Sequence, residues 1–155
     1  MTRFLTTSAL ALAALVSVNT AAAQTRFGLG ADYQFDDDIA FVSIQARTSP
    51  GVSIPLRFNP SVDIFLPKKN VNFQGQLNLN ALYDFGAGMT TSFTPYAGVG
   101  FAIGYVKTDD KSDAEPGANF LFGAEFNRPS ARPYLQLQIS TTDAGGVGIG
   151  GGILF

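Results

Sequence analysis

Val71-Asn72-Phe73-Gln74-Gly75-Gln76-Leu77-Asn78-Leu79-Asn80-Ala81-Leu82-Tyr83-Asp84-Phe85 is the stretch that decides the fold class. Val71, Phe73, Gly75, Leu77, Leu79, Ala81, Tyr83 and Phe85 fall on one parity, and Asn72, Gln74, Gln76, Asn78, Asn80, Leu82 and Asp84 on the other. Side chains of an extended chain point alternately to opposite faces, so this period of two reads as a β-strand with one apolar and one polar side. After Gln24 no run of apolar residues is long enough for a spanning helix.

The same alternation recurs on both sides of this segment. Residues 25–35 set Phe27, Leu29, Ala31, Tyr33 and Phe35 against Arg26, Gly28, Gly30, Asp32 and Gln34. Residues 39–48 set Val42, Ile44 and Ala46 against Ser43, Gln45 and Arg47, with Phe41 falling on the polar side. Residues 52–66 set Val52, Ile54, Leu56, Phe58, Val62, Ile64 and Leu66 against Ser53, Arg57, Asn59, Ser61 and Asp63, and Pro55 and Pro60 predict a bulge there. Residues 92–107 align Phe93, Ala97, Val99, Phe101, Ile103 and Tyr105 opposite Tyr96, Gly98, Gly100, Ala102 and Gly104. Residues 118–126, 131–141 and 145–155 continue the pattern, which makes eight strands.

The connections after the first, third, fifth and seventh strands are polar: Asp36-Asp37-Asp38, Lys68-Lys69-Asn70, Thr108 to Gly117, and Thr141-Thr142-Asp143. Ser49-Pro50-Gly51, Gly86 to Thr91 and Asn127 to Ser130 read as turns. Short turns at one end and longer, charged loops at the other predict an all-β, eight-stranded antiparallel up-and-down barrel that spans a membrane, with both termini on the short-turn side.

A soluble lipocalin-like binding barrel alternates too, with its apolar face inward. The chemistry of the polar face separates the two. A soluble barrel coats its outside with Lys, Glu, Asp and Arg, whereas this face is mostly Gly, Asn, Gln and Ser. Eight strands enclose an interior just wide enough for side chains to fill, and glycines 98, 100, 104, 146, 148, 150 and 152 suit such crowding. The apolar face then meets lipid, and closure pairs the backbone groups that lipid cannot serve. Tyr33, Phe35, Tyr83, Phe85, Tyr105 and Phe126 lie on that face near strand ends, where aromatic girdles form.

Composition fits this picture. Charged residues are 14% of the chain, with 17 Gly, 14 Phe and no Cys; soluble domains carry about 25% charge. Arg3, the apolar run Ala9 to Val16 and Ala21-Ala22-Ala23 have the order of a cleaved signal peptide, residues 1–23, with the barrel over 24–155. Loss of Arg3 leaves nine basic against twelve acidic residues, a net charge of about −3, which suggests no nucleic-acid partner.

Thr94-Pro95-Tyr96-Ala97-Gly98-Val99-Gly100-Phe101-Ala102, the eight-strand layout and the last strand ending in Phe155 together resemble the small outer-membrane barrels similar to the OmpA transmembrane domain and to OmpX. The resemblance covers most of residues 24–155. It implies the outer membrane of a Gram-negative bacterium, contact with its lipid and lipopolysaccharide, and reading of Phe155 by the barrel-assembly machinery. The peptidoglycan-binding domain of OmpA has no counterpart in the sequence, so that anchoring role is not implied. Outer-membrane deacylases, palmitoyltransferases and omptin proteases rely on histidine, and this chain has none.

No catalytic, cofactor or metal site is therefore expected. The polar face carries Arg26, Asp32, Arg57, Asp63, Asp84, Glu125 and Arg132, a near-cancelling set that suits an internal salt-bridge plug, with Glu125 and Arg132 placed to pair across a turn. A narrow channel for ions or small solutes is the alternative use of the same charges. Asp109-Asp110-Lys111-Ser112-Asp113-Ala114-Glu115 lacks the spacing and central Gly of an EF-hand loop, and no helix follows the Gly-rich runs to make a nucleotide loop.

Overall fold

The computed structural model of the chain describes residues 24–50, 54–67, 71–86 and 92–155. The expected signal peptide, Val52 and Ser53, and Lys68-Lys69-Asn70 lie outside the described residues. Eight strands run in order: β1 (Gln24–Gln34), β2 (Ile39–Ser49), β3 (Leu56–Phe65), β4 (Phe73–Asp84), β5 (Phe93–Lys107), β6 (Ser112–Phe126), β7 (Arg132–Ser140) and β8 (Val147–Leu154). Each pairs with the next, and β8 returns antiparallel to β1, with Gly28–Gln34 opposite Gly148–Leu154. The sheet is a closed barrel and has no free lateral edge between first and last strands.

The parity read from the sequence fixes which side is which. Phe27 is 55% exposed, Leu79 58% and Phe122 51%, while Arg47, Asn59 and Asp63 are each 2% exposed and Asn78 is fully buried. Most large apolar side chains face out and most amides, hydroxyls and charges face in, the inverse of a water-soluble barrel; Ile39, Phe41, Phe65, Leu82, Leu121 and Leu154 are buried exceptions. Glycine makes the tight interior possible. A Cβ at Gly98 would overlap Leu82, and one at Gly150 would overlap the carboxylate of Asp32.

Several expectations need correction. No bulge forms in β3: Gln45↔Ser61 and Thr48↔Phe58 share one register, and the β3–β4 pairing is continuous from Leu56 to Ile64. Pro60 has no N–H to give, and Ala46, which this register sets opposite it, has its carbonyl served by Asn59 Nδ2 at 3.1 Å. The strand also starts at Leu56 rather than residue 52. The loop expected over Thr108 to Gly117 shrinks to 108–111, because Ser112–Gly117 pair with Ala102–Lys107 and lengthen the β5–β6 hairpin. The outward residues of that stretch, Ala114 and Pro116, lie opposite Tyr105 and Ile103, so the alternation continues there with smaller side chains.

The connections 35–38, 108–111 and 141–146, with that between β3 and β4, lie at one end, called here the loop end; 127–131, with those between β2 and β3 and between β4 and β5, lies at the other, the turn end. The loop end carries Asp36, Asp37, Asp38, Asp109, Asp110 and Asp143. Among the described residues two turns use the left-handed region, Asp38 (φ 52°) before β2 and Gly86 (φ 82°) after β4. Asp tolerates that conformation better than most residues and Gly adopts it freely. The Tyr33 hydroxyl donates to the Asp38 carboxylate across the first of these.

Candidate functional site

Among the described residues the lumen concentrates buried polar side chains, and it is layered along the barrel axis. At the loop end Ile39, Phe41, Phe65 and Ala144 form an apolar cap, with Val106 packed against it. Phe41 and Phe65 stack with ring centroids 4.7 Å apart. Phe41 thus belongs to the lumen: its place on the polar side of β2 is real, and the inward register of Ser43, Gln45 and Arg47 holds. The connection 141–146 folds into this mouth, burying Thr142 and Ala144. Gln34 Nε2 donates to the Gly145 carbonyl at 2.8 Å and Gln74 Nε2 to the Ala144 carbonyl at 3.1 Å.

Beneath the cap lies a belt of amides and hydroxyls. Gln76 Oε1 accepts from Ser140 and Thr142, and Gln76 Nε2 donates to Asn78 Oδ1 at 2.7 Å. Asn119 Nδ2 donates to Asn80 Oδ1 at 3.3 Å and also contacts Asn78. Asp63 accepts from Asn78 Nδ2 at 2.7 Å, and Asp32 accepts from Ser43 Oγ at 3.4 Å. A cavity of about 10 Å³, lined in part by Gln34, Phe41, Phe65 and Gln138, remains under the cap. That is room for about one water molecule.

Toward the turn end the lumen becomes ionic. Glu125, 1% exposed, receives three guanidinium groups: Arg47 Nη1 at 3.3 Å, Arg132 Nη1 at 3.1 Å, and Arg57 Nη1 in direct contact. Arg57 also grips Asp84 Oδ1 through Nε at 3.0 Å and Nη2 at 2.5 Å. Arg47 lies between two aromatic faces, 4.7 Å from the Tyr96 centroid and 4.5 Å from that of Tyr134. Its remaining donors reach Gln45 Oε1 at 3.1 Å, Tyr96 Oη at 3.0 Å and Gln136 Oε1 at 3.3 Å. Leu82, Tyr96 and Leu121 pack together beside it.

The seven charged residues picked out by parity therefore divide. Arg57, Asp84, Glu125 and Arg132 join one network, with Glu125 and Arg132 paired across the 127–131 turn. Asp32 and Asp63 are buried in the amide belt and pair with no cation, and Arg26, half-buried at the turn end, makes no ion pair among the described residues. The centre of the network is Arg47, which parity put on the polar face but which the charge list left out. Its inward neighbours Ser43 and Gln45 were the available signal. With Arg47 the inner face carries four cations and four anions.

On the outer surface Tyr33, Phe35, Tyr83, Phe85, Tyr105 and Phe126 are all exposed, and they sort into two ends. Tyr33 and Phe35 pack edge to face at the loop end, where Phe73 joins Tyr105; Tyr83 packs on Phe85 at the turn end, where Phe93 joins Phe126. Phe155, 61% exposed, lies at the turn end with its N–H on the Phe27 carbonyl at 2.7 Å.

No protein-family model matches the chain, and no curated protein sequence is detectably similar to it. Solved structures that share its architecture include the following three. The N-terminal β-barrel domain of Pseudomonas aeruginosa OprF aligns at 17% identity over 86% of this chain and 98% of that one, with a TM-score of 0.55. Ail, the attachment invasion locus protein of Yersinia pestis, aligns at 14% identity over 85% and 93%, with a TM-score of 0.51. Neisserial surface protein A aligns at 13% identity over 85% and 91%, with a TM-score of 0.50. The chain has the fold of the small eight-stranded outer-membrane β-barrels.

Proposed function

We propose that this protein is exported, loses residues 1–23, and resides in the outer membrane of a Gram-negative bacterium as a structural or surface-interaction barrel whose polar lumen is filled rather than open. One observation carries the reading: among the described residues, an outer surface rich in exposed Phe, Leu, Ile, Val and Tyr surrounds a buried, largely polar interior. Water disfavours such a surface and hydrocarbon favours it. The strands, 8 to 15 residues long, suit the roughly 9–11 tilted residues that cross a bilayer.

In this reading the two sets of aromatics sit at the two lipid interfaces, lipopolysaccharide surrounds the loop end, and the C-terminal strand with Phe155 is what the assembly machinery binds. The role is non-catalytic: the chain contains no histidine to act as a general base. The apolar cap and the Arg–Glu network both stand across the lumen and favour a closed barrel over a narrow channel. Reconstitution into planar bilayers tests this directly. The expected result is electrical silence; stable stepwise currents that vanish when the protein is omitted would instead make the chain a channel.

A further inference from the structure

The lumen distributes its charge unevenly. Arg47, Arg57 and Arg132 all converge on Glu125 and Asp84, while Asp32, 5% exposed, and Asp63, 2% exposed, have no cation within ion-pair reach among the described residues. The inner face as a whole balances four guanidinium groups, Arg26 at the rim included, against four carboxylates, but the amide belt holds two of those carboxylates and none of the cations. Buried charges in proteins are paired or bind metal ions, because an isolated one is too costly to keep.

A second observation falls at the same place. Tyr134 is 3% exposed, and its hydroxyl, although close to Ser43, has no hydrogen bond of ordinary geometry. That hydroxyl, Ser43 Oγ and Asp32 Oδ2 converge over Gly30, where an added methyl group would collide with the first two and touch the third at 3.4 Å. Gly152 keeps the neighbouring wall bare, since a Cβ there would stand 2.6 Å from Tyr134 Oη. Ser43 is directly opposite Asp63 on β3, so the second carboxylate stands behind the first three oxygens. Ser43 Oγ donates to Asp32 at 3.4 Å and Asn78 Nδ2 to Asp63 at 2.7 Å, which holds both carboxylates in place.

We propose that Asp32, Ser43 and Tyr134 bind a small, hard, singly charged cation of the sodium class midway along the lumen, with Asp63 supplying further negative charge. The donors are all oxygen, which selects hard ions over soft ones. Asp32 is the one carboxylate among the three direct ligands, which a singly charged ion matches. The ion is enclosed by the loop-end cap, so it enters as the barrel closes.

The test is to refold the barrel into detergent micelles in sodium chloride or in N-methylglucamine chloride at the same ionic strength, about 0.15 M, and to compare urea unfolding. Sodium at ten times its dissociation constant lowers the unfolding equilibrium constant roughly tenfold. The difference between salts disappears in Tyr134→Phe, which keeps the ring against Arg47, and in Asp32→Asn. It persists when Asp36, Asp37 and Asp38 are all changed to Asn. Equal stability in the two salts overturns the proposal and leaves a proton as the neutralising species. A sodium effect that survives Tyr134→Phe overturns it as well, and this variant decides should Asp32→Asn not fold.

Discussion

Replacing Glu125 by alanine removes the one carboxylate that three guanidinium groups share. The three do not suffer equally. Arg132 has 31% of its side chain exposed and recovers its solvation from water. Arg57, 10% exposed, keeps Asp84 through two donors. Arg47 has 1% of its side chain exposed and is left with Gln45, Tyr96, Gln136 and two aromatic faces, none of them charged. Leaving one member of a buried pair uncompensated costs about 3–5 kcal/mol, which lowers the folding equilibrium constant by a factor of about a hundred to a few thousand. The chain has no tryptophan, so urea titrations in micelles are followed by the mobility of unboiled samples and by tyrosine fluorescence. Adding Arg47→Met to the alanine variant removes the stranded charge and recovers much of the loss. A cost below about 1 kcal/mol, the range of solvated surface pairs, would refute the account of Glu125 as a desolvated centre.

Other outcomes follow from the same geometry. Leu79→Arg, at mid-height on the outer face, costs about 2–4 kcal/mol in lipid vesicles, whereas on a water-facing surface it would stay within about 0.5 kcal/mol; vesicle unfolding measurements tell the two apart. Phe41→Ala removes half of the aromatic pair in the loop-end cap and costs about 3–5 kcal/mol, so an unchanged urea midpoint would mean the cap is not packed as a core. Gly150→Val overlaps the Asp32 carboxylate and destabilises the barrel by about 1–3 kcal/mol, seen as a lower urea midpoint. Phe155→Ala slows insertion in cells more than it lowers stability in micelles, read from membrane-fraction yield against the urea midpoint.

Much of the fold was legible because a membrane barrel states its two faces residue by residue. Val71 to Phe85 alternates cleanly, and its inward Gln and Asn side chains separated this barrel from a soluble one. Period two reports which face a residue occupies, but not its height or its partners. Arg47 and Glu125 are 78 residues apart and meet only because β2 and β6 lie across the closed barrel from each other. Phe41 blurred the second strand because a polar lumen was not expected to end in an apolar cap. Ser112–Gly117 read as loop because its outward residues, Ala114 and Pro116, are too small to mark an apolar face, although they pair with Tyr105 and Ile103. Pro60 read as a bulge because its missing donor is visible in sequence, whereas the Asn59 side chain that covers for it is visible only in three dimensions.

The central claim is a closed barrel whose apolar face meets lipid, and gel mobility of the membrane-extracted protein with and without boiling tests it most directly. A barrel of this kind resists unfolding in cold detergent, so the unboiled protein, recovered from the outer-membrane fraction, is expected to migrate faster than the boiled one. Identical mobility, with the protein found in the soluble periplasmic fraction, would contradict the account and turn the apolar face inward.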